Sequence, residues 1–126
     1  MKTKMISISS RYFEALSNLD RGAYLNCFAA DAELHDPYGG RPFAGRTGLE
    51  KWFTGMDRTW SEFAMRPGAC FVSGDRIAVQ WQAEGLARSG KRAEFAGVNV
   101  FTVDEDGLIS RLEGYWDFAA LLDQIQ

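Results

Sequence analysis

A change of hydrophobic period along the chain most constrains its fold. Within residues 5–19, Ile8, Tyr12 and Leu16 recur at four-residue steps, which is typical of an amphipathic helix. Over residues 77–84 the period becomes two, which is typical of a strand with one face in water. Helical patterns come first and strand patterns follow, and this order indicates an α+β domain.

The remaining elements follow from turn residues and periodicity. The chain has 126 residues without a repeat or linker, so we expect one domain over residues 1–126. A strongly curved antiparallel sheet with helices packed on its concave face would leave a conical, mostly apolar cavity. The expected helices span 5–19, 20–28 and 47–60, with a helical turn or two over 117–125, and the expected strands span 32–36, 62–72, 77–84, 95–103 and 108–116.

Charge and composition exclude several classes of function. The net charge of −3 and the absence of a basic cluster exclude a nucleic-acid partner. No apolar run is long enough for a membrane helix, and the N-terminus lacks the apolar core of a signal peptide, so we expect a cytoplasmic protein. Cys27 and Cys70 are expected to be buried free thiols. The single histidine, His35, is expected to be exposed, and neither a metal site nor a cofactor motif is predicted.

Three polar side chains stand at positions where an apolar residue or a plain turn is expected. Asn99 shares an apolar strand face with Phe101, Asp36 ends a short strand before a proline, and Tyr12 lies on the apolar stripe of the first helix. Each has an ordinary structural explanation: an amide satisfied by backbone or water, an exposed turn carboxylate, and a core phenol bonded to backbone. Converging on one cavity, they would instead provide a base and two donors for enolate chemistry.

The segments 11–18 (RYFEALSN) and 28–39 (FAADAELHDPYG) resemble the N-terminal half of the bacterial ketosteroid isomerases. These belong to the group that shares the nuclear transport factor 2 (NTF2) fold, also called SnoaL-like domains, and the resemblance covers residues 8–118. It implies that Asp36 moves a proton between two carbons of a steroid and that Tyr12 donates a hydrogen bond to the dienolate oxygen. Asn99 stands where the family has a second donor, a protonated aspartic acid. Because an amide donates at any pH, Asn99 is expected to preserve the oxyanion hole.

The third helix departs from the family. Some members carry a tyrosine there that hydrogen-bonds the catalytic tyrosine, but the corresponding residue here is Phe53, so Tyr12 would lack that support. Members commonly form homodimers through the outer face of the sheet, and we expect a homodimer here. The expected ligand is a small apolar carbonyl compound, and its candidate contacts are Trp52, Phe53, Trp81, Phe95, Phe101, Leu112 and Trp116.

The leading hypothesis is a double-bond isomerase that needs no cofactor. A second hypothesis keeps the fold but changes the reaction to polyketide cyclisation, dehydration or epoxide hydrolysis. The epoxide hydrolases of the group use an Asp-Arg-Asp set that has no clear equivalent here. A third is a non-catalytic domain that only binds a ligand. A catalytic domain predicts that Asp36 is partly buried beside Trp116, Phe101 or other apolar walls, whereas a non-catalytic one predicts a salt-bridged or solvent-facing carboxylate.

Overall fold

The computed structural model describes residues 2–126, which form four α-helices and six β-strands. The predicted order of early helices, a run of strands and a closing helix is confirmed. The helices are α1 (Lys2–Ser17), α2 (Arg21–Leu25), α3 (Gly45–Thr59) and α4 (Phe118–Ile125), and the strands are β1 (Phe28–His35), β2 (Phe43–Ala44), β3 (Trp60–Ser73), β4 (Arg76–Ala87), β5 (Arg92–Val103) and β6 (Ile109–Tyr115).

All six strands form one sheet in the order β2-β1-β6-β5-β4-β3. Strands β3 to β6 form the predicted antiparallel meander. Strand β1 lies antiparallel to β2 but parallel to β6, so the sheet is mixed rather than wholly antiparallel. The reason is the connection: β2 and α3 separate β1 from β3, which starts at the far edge, and the four-strand meander then returns to place β6 beside β1.

The concave face of the sheet carries the core. Along β4 the buried side chains Ile77, Val79, Trp81 and Ala83 alternate with more exposed ones. The register of β3 against β4 shifts between Pro67 and Cys70, and irregularities of this kind bend a strand and increase its twist. Helix α1 covers part of this face with a buried stripe of Met5, Ile8, Tyr12, Phe13, Ala15 and Leu16.

The second helix is shorter than predicted. Asp20 caps α2 as expected, with its Oδ1 accepting a hydrogen bond from the Ala23 amide at 3.1 Å. The helix ends at Leu25, and β1 already begins at Phe28, which pairs with Ile109 of β6. Strand pairing across the sheet therefore overrides the local helical pattern near Phe28.

Two predicted exposures are corrected. Cys27 is buried as expected, but Cys70 is exposed because it lies in the stretch 66–71 of edge strand β3, whose side chains are largely uncovered. The side chain of His35 is only 14% exposed rather than open to solvent. Its Nε2 lies 2.8 Å from Oε1 of Glu33, and its ring lies 5.8 Å from that of Tyr38. Among residues 2–126, no helix is both long and apolar enough to cross a membrane.

Candidate active site

The carboxyl group of Asp36 lies at the junction of β1 and β6. The pairing of His35 with Glu113 places Asp36 next to Gly114, where a side chain would overlap the carboxyl group. Glycine at this position therefore provides the room that the carboxyl group occupies. Oδ1 of Asp36 accepts a hydrogen bond from Nε1 of Trp116 at 2.5 Å, and its backbone oxygen accepts one from Nε1 of Trp52 at 3.2 Å.

Burial perturbs the ionisation of Asp36. The residue is only 7% exposed, and no Lys, Arg or His of the described chain forms an ion pair with it. Burial raises the pKa of this carboxyl from 3.8 to about 6, and the hydrogen bond from Trp116 opposes that rise. At neutral pH most of the carboxyl is ionised, yet its pKa is close enough to pH 7 for efficient proton transfer in both directions.

The phenol of Tyr12 is a buried donor without a partner. Tyr12 is fully buried on α1, with its ring 5.1 Å from that of Phe101 in an edge-on contact. Its hydroxyl makes no hydrogen bond within residues 2–126. Burial, and then the charge of Asp36, raise the pKa of this phenol well above 10, so it stays protonated. A buried hydroxyl without a partner carries a desolvation cost of about 1–3 kcal/mol, which a ligand oxygen could relieve.

In the side-chain amide of Asn99, the oxygen has a hydrogen-bond partner and the nitrogen has none within the described chain. Its Oδ1 accepts a hydrogen bond from Nε1 of Trp81 at 2.9 Å. An indole N–H can only donate, so this bond fixes the orientation of the amide and leaves Nδ2 on the opposite side. Nδ2 has no partner within the described chain. Asn99 lies close enough to the phenol to oppose the rise in the pKa of Tyr12, although the two side chains form no hydrogen bond.

Two adjoining cavities have Asp36 in their walls. The outer cavity has a volume of about 350 Å³ and opens between α3 and α4. The inner one, of about 50 Å³, contains the four tryptophans of the chain in its wall. The two share Asp36, Trp52, Met56, Trp60, Trp116 and Leu121 as lining residues. Together they form a funnel whose narrow end holds Tyr12, Leu16, Phe63, Met65, Trp81 and Phe95 in addition.

The structure brings part of the predicted site together. Asp36 and Tyr12 share the inner cavity, whereas Asn99 is fully buried and lines neither cavity. Of the candidate ligand contacts, Trp52, Trp81, Phe95 and Trp116 line the funnel. The other three, Phe53, Phe101 and Leu112, are fully buried in the core and line neither cavity.

The position of helix α1 explains this difference. The ring of Phe101 packs 5.1 Å from Tyr12 and 5.9 Å from Phe13, so α1 covers this part of the concave face. Leu112 is the strand partner of Phe101 and is buried beside it. A period-two pattern identifies the concave face but does not indicate how far the helix extends over it.

Tyr24 was not identified from the sequence. It is fully buried, and its hydroxyl, like that of Tyr12, has no partner within the described chain. Its ring stacks on Trp52 at 5.5 Å and lies 5.0 Å from Phe53. Burial, followed by the charge of Asp36, raises its pKa well above 10. A tyrosine at the end of a short helix gave no signal that distinguishes it from ordinary core.

The site has no obvious place for a metal ion. No group of three or more His, Cys, Asp or Glu side chains within residues 2–126 is arranged to hold one. The chemistry available is that of one buried carboxyl, one phenol and one amide inside an apolar wall.

One family model matches most of the chain, and individual relatives are more distant. The SnoaL-like domain family matches residues 10–112. A steroid Delta-isomerase from Nocardioides simplex is 25% identical over 124 residues, which cover 92% of each chain. Among solved structures, the epoxide hydrolase/cyclase-like enzyme SalBIII, of pyran ring formation in the polyether salinomycin, is 25% identical with a TM-score of 0.83 over 94% of each chain. A Mycobacterium tuberculosis protein in complex with estradiol-17beta-hemisuccinate is 22% identical, with a TM-score of 0.81 over 92% of this chain and 95% of its own, and therefore shows the fold.

Proposed function

The chain belongs to the SnoaL-like domain family, and from this premise we propose that it is an enzyme that shifts a C=C double bond in an apolar carbonyl compound. The substrate would be a steroid or a smaller molecule of similar character. The funnel's volume is near the lower limit of ordinary ligand pockets, about 300 Å³. Its wall is mostly aromatic and aliphatic, which suits a flat apolar ligand.

The carboxyl of Asp36, which is buried and forms no ion pair within the described residues, is the observation that carries this proposal. Asp36 would take a proton from the carbon next to the carbonyl, leaving an enolate, and would return the same proton to the far end of the conjugated system. No proton is gained or lost overall, so no cofactor is required. Its pKa of about 6 suits a group that must both accept and release a proton near neutrality.

Tyr12 would stabilise the enolate oxygen. Its hydroxyl has no partner, it borders the inner cavity, and its high pKa keeps it a donor. Asn99 is proposed as the second donor, with its amide oriented by Trp81. Because Asn99 borders Tyr12 but not the cavity, we expect its contribution to be smaller and to act partly through that phenol.

Cyclisation or epoxide opening is the second candidate, and the similarity to SalBIII favours it. With a pKa of about 6, Asp36 would be partly protonated in mildly acidic solution and could then act as an acid toward an epoxide oxygen. A non-catalytic binding domain would use the same funnel but would not need a buried carboxyl without an ion-pair partner inside it. A homodimer through the outer sheet face remains a proposal from the family resemblance, and a cytoplasmic location remains a proposal from the composition and the N-terminal sequence. Exposed Tyr38 and Tyr115, with rings 5.3 Å apart, would suit the dimer.

Turnover of 5-androstene-3,17-dione, followed by ultraviolet absorbance of the conjugated enone, tests the isomerase proposal. The natural protein, Asp36→Asn and the control Asp123→Asn would be compared, since Asp123 is an exposed carboxylate on α4 that lines neither cavity. We expect turnover in the natural protein and in the control, and its loss in Asp36→Asn. Equal turnover by all three proteins would rule out Asp36 as the base. Steroid binding without turnover would favour the cyclase or binding alternatives.

A further inference from the structure

We infer that the funnel selects carbonyl compounds that carry an anionic group, such as a carboxylate, with this group held at the mouth by Lys51. The inference rests on the proposed function, because it places the reacting end of the same substrate at Asp36. It assigns Lys51 a role in substrate selection and none in the chemical step.

The charge distribution of the outer cavity is the first observation. Fourteen residues line this cavity, and Asp36 and Lys51 are the charged ones among them. Asp36 is buried where the outer and inner cavities meet, whereas Lys51 is exposed on α3. The wall therefore carries a negative group at its inner end, a positive group at its solvent side and apolar surface around them.

Lys51 is not engaged by the protein. It makes no hydrogen bond or ion pair with any residue of 2–126, and its helix neighbours at three and four residues are Gly48, Thr54, Thr47 and Gly55, none of them acidic. The acids of α3 are already paired: Glu50 lies 3.8 Å from Arg21 and 3.9 Å from Arg46, and Asp57 lies 3.1 Å from Arg21. The ammonium group of Lys51 is thus available to a ligand.

The space beside Lys51 is open. Gly55 lies one helical turn further on the same face of α3 and also lines the outer cavity. A Cβ placed on Gly55 would meet no atom within 4 Å. Across the cavity, Phe118 at the start of α4 leaves about half of its surface exposed. An apolar ligand that covers Phe118 would fill this space and bring a polar end within reach of Lys51.

The charge of Asp36 sets the orientation of such a ligand. An anionic group at the inner end would lose its hydration and meet the ionised carboxyl of Asp36 in an apolar wall, which is strongly unfavourable. The neutral carbonyl end therefore enters first, toward Asp36 and Tyr12. The anionic end remains at the mouth, where it keeps contact with water and with Lys51.

Binding of 3-oxoandrost-4-ene-17β-carboxylic acid and of its methyl ester tests this inference. The two ligands differ in charge and share the ring system, and quenching of the funnel tryptophans reports their binding. Affinities would be compared for the natural protein, Lys51→Met and Arg58→Gln. Methionine keeps the length and helix propensity of lysine without its charge. Arg58 is the matched control, since it is an exposed cation on the same helix and lines neither cavity.

We expect Lys51→Met to lower the affinity for the acid about three- to fivefold relative to the ester, the upper range for a solvent-exposed ion pair. Arg58→Gln should leave the ratio of the acid affinity to the ester affinity unchanged. The preference should also shrink as ionic strength rises from about 0.01 M to about 1 M, because the Debye length falls from about 30 Å to about 3 Å. An unchanged ratio in Lys51→Met, an equal loss in Arg58→Gln, or no binding of either ligand to the natural protein would each overturn the inference.

Turnover of the neutral 5-androstene-3,17-dione separates this inference from the proposed function. If the protein turns over this substrate but Lys51→Met leaves the acid-to-ester affinity ratio unchanged, the inference is rejected and the isomerase proposal is kept. A Lys51-dependent preference without turnover would support the binding orientation and reject the isomerase reaction.

Discussion

Replacement of Asp36 by asparagine should stabilise the protein at neutral pH and remove the proposed isomerase activity. The folded pKa of about 6 lies above the unfolded value of 3.8, so the native state binds the proton more tightly than the unfolded state does. The associated stability is therefore fully present well below pH 3.8 and is lost as the pH rises from there through about 6. A shift of about two pKa units corresponds to about 3 kcal/mol.

The side-chain amide introduced by Asp36→Asn would keep an oxygen that can accept the bond from Trp116, and it carries no charge at any pH. Relative to the natural protein, the free energy of unfolding of Asp36→Asn should therefore rise by about 2 kcal/mol between pH 4 and pH 7, because part of the full effect of about 3 kcal/mol already lies below pH 4. Urea unfolding followed by circular dichroism at intervals of pH measures this difference. Other carboxyl groups titrate in both proteins and cancel in the comparison.

Asp123→Asn is the control, because it removes an exposed carboxylate that makes no ion pair within the described residues. The difference in free energy of unfolding between Asp123→Asn and the natural protein should stay nearly constant over the same pH range. If the free energy of unfolding of Asp36→Asn also differs from that of the natural protein by a constant amount, the reasoning is refuted. Asp36 would then ionise in the folded protein as it does in the unfolded chain.

Three further predictions concern Tyr12, Trp116 and the packing of α3. Tyr12→Phe should lower turnover about 10²–10³-fold, the usual cost of losing an oxyanion donor, without loss of stability in urea, because the hydroxyl has no partner to lose. Trp116→Phe removes a hydrogen bond that lowers the pKa of Asp36, so the rising limb of kcat/KM against pH should move to higher pH. Gly55→Ala should stabilise the protein by up to about 1 kcal/mol, whereas Gly48→Ala in the same helix should destabilise it, because its Cβ would lie 2.9 Å from backbone of β2. A stability change of the same sign in both glycine variants would contradict the packing described for α3.

The local elements could be predicted because their signals lie within a few residues. Asp20 caps α2 by accepting from an amide three residues ahead, and Gly90 and Gly107 adopt positive φ in the two hairpin turns where turn residues cluster. The parallel pairing of β1 with β6 could not be predicted from local sequence signals. It joins segments more than 70 residues apart, and no local period indicates which strand becomes the neighbour of β1.

The candidate site was predictable to the extent that its residues break a pattern. Asn99 interrupts an apolar face and Asp36 precedes a proline, and the resemblance placed both beside Tyr12. Tyr24 breaks no pattern, although its hydroxyl is buried without a partner. Phe101 was expected in the cavity wall but lies under α1, and the part of the sheet that α1 covers depends on packing across the whole core.

The parallel pairing of β1 and β6 also determines when the site can form during synthesis. Strand β1 is complete at His35, whereas β6 begins at Ile109, so roughly 4–15 s of translation separate them at about 5–20 residues per second. In the folded structure β1 lies between the two-residue β2 and β6, so until β6 is made we expect one edge of β1 to be open. The bond from Trp116 to Asp36 spans 80 residues of sequence. Closing so long a loop is slow, and the carboxyl group is buried beside Gly114 and Trp116, so we expect the raised pKa of Asp36 to mark a chain in which β6 has docked.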